Sequence, residues 1–320
     1  MNRALLAILP LGFTVVFTAV AAAQSTDPLP SWSDGETKMA ITRFVTNVTT
    51  EGSPDFVPSA QRIATFDNDG TLWAEQPVVQ LEYVAYQIKK MSGQHPEWKS
   101  QDPFKAVLEG DKDYLINDYL NNHGKGLHEL VLATHAGMTA QEFDEMVLEF
   151  FNTSQHPKFK KTYNQTAYQP MLELLAYLRN NGFKTYLSSG GGIDFMRVIA
   201  MDTYGIVPEN VIGSFATNSF EQVDGEWKIV KGTKNIFMHD GVTKPVGINL
   251  HIGRIPIFVA GNVRSGGDWF DPGLMDRLKL VLVTFLKRNR TYITKIAVSA
   301  FSIIKSFDVI KYIRFRFVSR

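Results

Sequence analysis

The run Ile63-Ala64-Thr65-Phe66 stops at Asp67-Asn68-Asp69-Gly70-Thr71, and that junction limits what the chain can become. Four apolar, partly β-branched residues bounded by a turn describe a buried strand of the kind found inside parallel sheets. Two carboxylates two residues apart do not follow such a strand into a core. They belong at its carboxyl end, where open α/β sheets receive their ligands. There the pair can hold a cation, and one acid can attack an electrophile while the other handles a proton.

The same grammar recurs downstream. Residues 171–178 are apolar with helical period and end at Asn180-Asn181-Gly182. Phe183-Lys184-Thr185-Tyr186-Leu187 then reads as a strand closed by Ser188-Ser189-Gly190-Gly191-Gly192, with helical pattern again from Ile193 to about Tyr204. Residues 255–260 form another apolar run, ending at Gly261-Asn262. Helix, strand, glycine turn and helix in alternation imply parallel βαβ units. Residues 211–231 interrupt this with a short β excursion, in which Asp224-Gly225 signals a hairpin turn. Residues 278–286 supply one more core strand.

Between the first strand and Pro170 the pattern differs. Residues 77–165 are predicted to be mostly helical, and residues 36–50 form a helix ahead of the first strand. Thr139-Ala140-Gln141-Glu142 matches a capping box before Phe143, Met146, Val147, Phe150 and Phe151. A helical insertion of that length directly after an acidic strand end is expected to cover a site. Its aromatics Tyr83, Tyr86 and Trp98, with Trp73 nearby, are available to a substrate's organic part, with core packing as the default.

The amino terminus resembles a secretory leader, with Arg3, an apolar stretch over 4–22 and Ala21-Ala22-Ala23 before Gln24. Export with cleavage is expected, and residues 1–23 are set aside from the fold. There is no cysteine, which excludes disulfides and thiolate chemistry. The formal net charge of +1 conceals an asymmetry. From Arg277 onward there are 11 Lys/Arg against one acid, leaving 22 basic and 31 acidic residues in the body. The tail over 287–320 is basic and aromatic. It is open to weak contact with an anionic membrane surface, or to being a divergent end that packs poorly. No nucleic-acid partner is expected, since basic residues alone give sequence-blind binding. The seven histidines show no close metal-ligand spacing; His123, His128 and His135 are expected at the surface or in the packing of the insertion.

Four polar motifs thus adjoin strand-like runs: Asp67-x-Asp69, Ser189-Gly190-Gly191, Lys244 in Thr243-Lys244-Pro245-Val246-Gly247, and Gly261-Asn262 through Gly266-Gly267-Asp268. In that order they resemble the haloacid dehalogenase-like hydrolase superfamily, in its phosphoserine-phosphatase-like branch. The resemblance spans roughly residues 60–270. It implies a doubly wound, Rossmann-like parallel sheet, with core segments 24–76 and 166–286 and an inserted helical cap over 77–165. It also implies a Mg²⁺-dependent phosphomonoester hydrolase acting on a small-molecule phosphate ester. Asp67 would be the nucleophile, giving an aspartyl-phosphate, and Asp69 the general acid and base. Ser189, Gly190 and Lys244 would hold the phosphoryl group, with the Gly191 N–H beside them. Asp67, Asp69 through its backbone carbonyl, and Asp268 would hold the metal.

The chain departs from the family pattern at Asn262, where an acid is usual, and in the longer loop reaching Asp268. Arg264 in that loop is a further phosphate contact or a solvated side chain. Lys234 competes with Lys244; the latter is preferred for its helix-start context. Two alternatives stay open: a metal-independent dehalogenase, and a non-catalytic, binding or envelope-associated member of the same superfamily.

Overall fold

The computed structural model describes residues 27–121, 125–261, 280–286 and 292–297. The leader, His123, Asn262, Arg264, Asp268 and most of the basic stretch after 287 lie outside them.

In chain order the elements are α1 (Glu36–Thr49), β1 (Ile63–Phe66), α2 (Val79–Met91), α3 (Phe104–Glu109), α4 (Lys112–Asn121), α5 (Lys125–His135), α6 (Ala140–Thr153), α7 (Gln169–Asn180), β2 (Lys184–Gly192), α8 (Ile193–Tyr204), β3 (Val211–Val223), β4 (Glu226–Phe237), α9 (Lys244–Ile252), β5 (Phe258–Gly261), β6 (Leu280–Leu286) and β7 (Tyr292–Ala297). The strands form one sheet in the order β4-β3-β2-β1-β5-β6-β7. β3, β2, β1, β5 and β6 run parallel. β4 and β7 are antiparallel edges.

β1 is central and every one of its residues is buried, as its unbroken apolar run requires. Phe66 is level with Leu187 of β2 on one side and Ala260 of β5 on the other. After β1 the chain moves through β2 to β3; after β5 it moves the opposite way, to β6. β1 and β5 therefore flank the switch point, where a crevice opens beyond the carboxyl ends of the strands.

Helices bury the sheet through regular stripes. α1 contributes Ile41, Val45 and Val48, and α7 contributes Met171, Leu174, Leu175 and Leu178. The insertion between β1 and β2 carries α2 to α6 ahead of α7. α6 starts at the expected capping box: Thr139 accepts from the Glu142 N–H, and Glu142 accepts from the Thr139 N–H.

Two segments differ from the sequence reading. The β excursion is a long hairpin of 13 and 12 residues, continuing past 231. The hairpin extends because it has a second partner. Val230 bridges to Thr139, the Gly137 N–H donates to Lys231 O at 3.0 Å and the Lys231 N–H to Met138 O at 2.7 Å. Lys231 also pairs with Asp194 and lies over the Phe143 ring. The hairpin is thereby strapped to the α5–α6 turn. Secondly, Tyr292–Ala297, within the stretch set aside as a tail, pairs with β6 and adds an edge strand.

Candidate active site

Asp67 leaves β1 with its N–H donated to Ala260 O of β5 at 2.9 Å, so the backbone is still in the sheet when the carboxylate appears. The turn that follows sorts its side chains. Asn68 is fully buried and its Oδ1 accepts from Tyr204 of α8 at 2.8 Å. Gly70 takes a φ of 77°, a left-handed conformation that favours glycine, and its N–H returns to Trp73 O. Asp69 is held from the side by the Trp73 indole N–H at 2.7 Å.

Lys244 is the first residue of α9, with Pro245 in the first turn. Asp240 and Thr243 hold the preceding turn in a reciprocal box. Lys244 is only 1% exposed, and its Nζ donates to Asp67 Oδ1 at 2.9 Å; Asp67 itself is 6% exposed. A buried ammonium of this kind requires a carboxylate partner, and residues 177 positions apart supply each other. Lys234, its competitor, lies exposed on β4.

Asp69 retains some solvent access, but burial by the surrounding protein pushes its carboxyl up to about 6. The Trp73 hydrogen bond opposes this, Asp67 adds to it, and Lys244 opposes it. The two carboxylates thus have different partners: Asp67 a cation, Asp69 an indole N–H.

Ser189 and Gly190 lie at the carboxyl end of β2, just past the Phe66–Leu187 pair. Ser189 is 1% exposed and its Oγ accepts the Gly191 N–H at 3.1 Å. That N–H, expected to serve a phosphoryl oxygen, is therefore engaged within the loop. A buried relay supports the loop from behind. Ser188 Oγ and His239 Nε2 are 2.8 Å apart, the His239 N–H donates to Ser214 Oγ, and Ser214 donates to Gly190 O at 2.8 Å. His239 is fully buried, and its imidazole is pushed down to about 3 by burial first and then by Lys244 and His251, so it is neutral. A Cβ on Gly247 of α9 would stand 2.2 Å from His239 Nδ1. The loop and the helix carrying Lys244 therefore meet at one histidine.

Gly261 completes the wall: a Cβ there would be 3.6 Å from that of Asp67. The structure thus brings Asp67, Asp69 and Lys244 into one cluster and sets Ser189 and Gly190 on the adjoining strand end. Asp268 is outside the described residues. Among those residues no group of three His, Asp or Glu gathers as a metal site. Trp73, Tyr83 and Trp98 are core residues, and Tyr86 bonds Glu149. His135 packs edge-on to Tyr83 and His128 is exposed.

Sequence reasoning missed His239 and Asp240, which no spacing marks. A cleft of about 330 Å³ opens where α8 begins, lined among others by Ile193, Asp194, Arg197, Phe215 and His251. A larger one, about 550 Å³ along α6, involves none of the site residues.

No family model matches the sequence, and no curated protein matches it. Solved structures do. A conserved protein of unknown function from Anaerococcus prevotii is 16% identical over 72% of this chain and 80% of its own, with a TM-score of 0.45. A phosphoserine phosphohydrolase-like protein from Francisella tularensis is 17% identical over 69% and 85%, at 0.37. A probable phosphoserine phosphatase from Vibrio cholerae is 14% identical over 78% and 65%, at 0.35.

Proposed function

We propose that this protein is an exported, metal-dependent phosphomonoester hydrolase that works through an aspartyl-phosphate on Asp67. The observation that carries the reading is the buried Lys244–Asp67 pair at the switch point, with a second, differently held carboxylate two residues on. A carboxylate meets a dianionic phosphate only if the repulsion is offset. Lys244 supplies part of that offset.

The described donors fit a hard divalent cation such as Mg²⁺ in kind, being carboxylate and carbonyl oxygens. Asp67, the Asp69 carbonyl and Asp268 would hold it. When bound, it supplies positive charge opposite the phosphoryl oxygens. Asp67 attacks phosphorus, and the bond to the ester oxygen breaks. Asp69 delivers a proton to that leaving oxygen, then takes one from the water that hydrolyses the acyl phosphate. Ser189, Gly190 and Lys244 bind the phosphoryl oxygens. The helical insertion acts as the cap that shields the reaction, and the cleft beside α8 takes a small organic group.

The test is hydrolysis of an aryl phosphate with Mg²⁺ and with EDTA, for the native chain and for Asp67→Asn. Native turnover that needs the metal is expected, with a loss of at least about 10³-fold in the variant and a circular-dichroism spectrum that is unchanged. Retained activity in Asp67→Asn refutes the nucleophile. Aryl phosphate turnover indifferent to EDTA refutes the metal dependence, and no native turnover favours the dehalogenase or the non-catalytic alternative.

A further inference from the structure

The chain spends three consecutive glycines at residues 190–192, and none of them adopts a positive φ. Gly192 has φ −64° and ψ 130°, a conformation open to any residue. Torsion therefore does not call for glycine here; space does. A Cβ on Gly191 would lie 2.7 Å from Gln80 Oε1, and a Cβ on Gly192 would lie 2.8 Å from Gln80 Nε2. Both are closer than real side-chain carbons approach. The Gln80 amide thus lies across the two glycines, and its Oε1 accepts the Gly192 N–H at 2.8 Å.

Gln80 does not belong to the sheet. It is in the first turn of α2, where the helical insertion begins. The opposite side of the loop is equally tight. A Cβ on Gly213 of β3 would meet Gly191 O at 2.7 Å. The loop is a thin backbone ribbon pressed between β3 and one side chain of the insertion.

We infer that Gln80 is a positioning residue: its amide clamps the glycine ribbon beside Ser189 and so sets the loop that receives the phosphoryl group. The inference rests on the phosphatase reading and adds a dependence, because the loop is set only while the start of α2 is seated. Gln80 touches no reacting atom. It acts through the Gly192 N–H, whose neighbour Gly191 is held by Ser189 Oγ. Loss of this one half-buried amide bond is worth about a factor of ten.

Gln80→Ala is expected to raise KM for an aryl phosphate, and the inhibition constant of inorganic phosphate, about tenfold, with kcat changed less than about threefold. Gln80→Glu, which can still accept the Gly192 N–H, is expected to keep the loop in place. Amide exchange at Gly192 should be fast in Gln80→Ala and slow in Gln80→Glu, with the β1 amides protected in both. Gly191→Ala, whose Cβ would displace the Gln80 amide, should raise KM about as much as Gln80→Ala does, and the double variant should be no worse than either single one, because both remove the same clamp. An active native enzyme whose KM, phosphate inhibition and Gly192 exchange ignore Gln80→Ala overturns the inference alone. So does a double variant whose KM is raised by the product of the two single effects. A native chain that neither turns over aryl phosphate nor binds inorganic phosphate overturns the phosphatase reading, and this inference with it.

Discussion

The carboxyl edge of the central strands and the aromatic seam beneath the helical insertion are both largely closed to water, yet they are held in opposite ways. The edge is held by directed bonds: Lys244 to Asp67, Trp73 to Asp69, Gln80 to Gly192, Ser188 to His239. The seam is held by ring contacts. Tyr83 lies within 5.2–6.0 Å of Phe195, Phe150 and Phe143, and Phe150 stacks on Tyr163 at 5.3 Å. Directed bonds fix atoms at set distances but recover little of the cost of desolvating charge. Ring packing recovers far more per residue and tolerates small shifts. The insertion is thereby joined to α8 by a stabilising layer, while the site beside it is free to keep charges that stabilise nothing.

If the two regions divide the work in this way, damage to each should read out differently. The largest effect is expected at the seam. Phe150→Ala removes a ring that is 1% exposed and leaves a cavity. It should cost about 3–5 kcal/mol of stability by denaturant titration. Specific activity per folded molecule should stay within about twofold of native. A large loss in the folded fraction's kcat would break the division.

Lys244→Met comes next. Methionine keeps the buried stem and removes the charge. Turnover of the folded fraction should fall about 10²–10³-fold, or roughly 3–4 kcal/mol in the barrier, and the thermal midpoint should fall as well, because Asp67 is left buried without its cation. Native turnover in the folded fraction would show the pair to be structural.

The smallest effect sharpens the seam itself. Burial, then Lys231, pushes His135 down to about 4, while a backbone contact and Asp194 act in the other direction. The unfolded chain therefore takes up the proton first. The stability due to this group is complete above about pH 6.5 and is lost as pH falls towards 4. With its partial exposure the loss is on the order of 2 kcal/mol. His135→Phe keeps the contacts to Tyr83 and Phe143 and removes the titration. Its stability should fall less than native between pH 6.5 and 4. His239, also lowered, retains its own share of the slope in both chains. Identical pH profiles would contradict the assignment.

The contrast also explains what the sequence disclosed. β1, β2 and the helices from α6 to α8 were legible because periodicity, capping residues and glycine stops are local signals. Thr139 and Glu142 cap α6 as their spacing demands. Asp67 and Asp69 were legible because a buried strand end must explain its charges, and Lys244 through the family resemblance and its helix-start context. The length of the β3–β4 hairpin was not, since it depends on Gly137 and Met138 meeting Lys231 across space. Nor was the His239 relay, whose partners come from β2, β3 and α9. The glycine run was visible, but only the approach of Gln80 gives it a reason.

In the proposed cycle Asp67 carries the phosphoryl group during turnover. The direct measurement is a rapid acid quench of the native chain with an aryl phosphate and Mg²⁺, followed by peptide mass analysis. The peptide containing Asp67 should gain the mass of one phosphoryl group, and the same peptide from Asp67→Asn should not. Steady turnover with that peptide unmodified at every quench time, or equal labelling in the variant, would contradict the account.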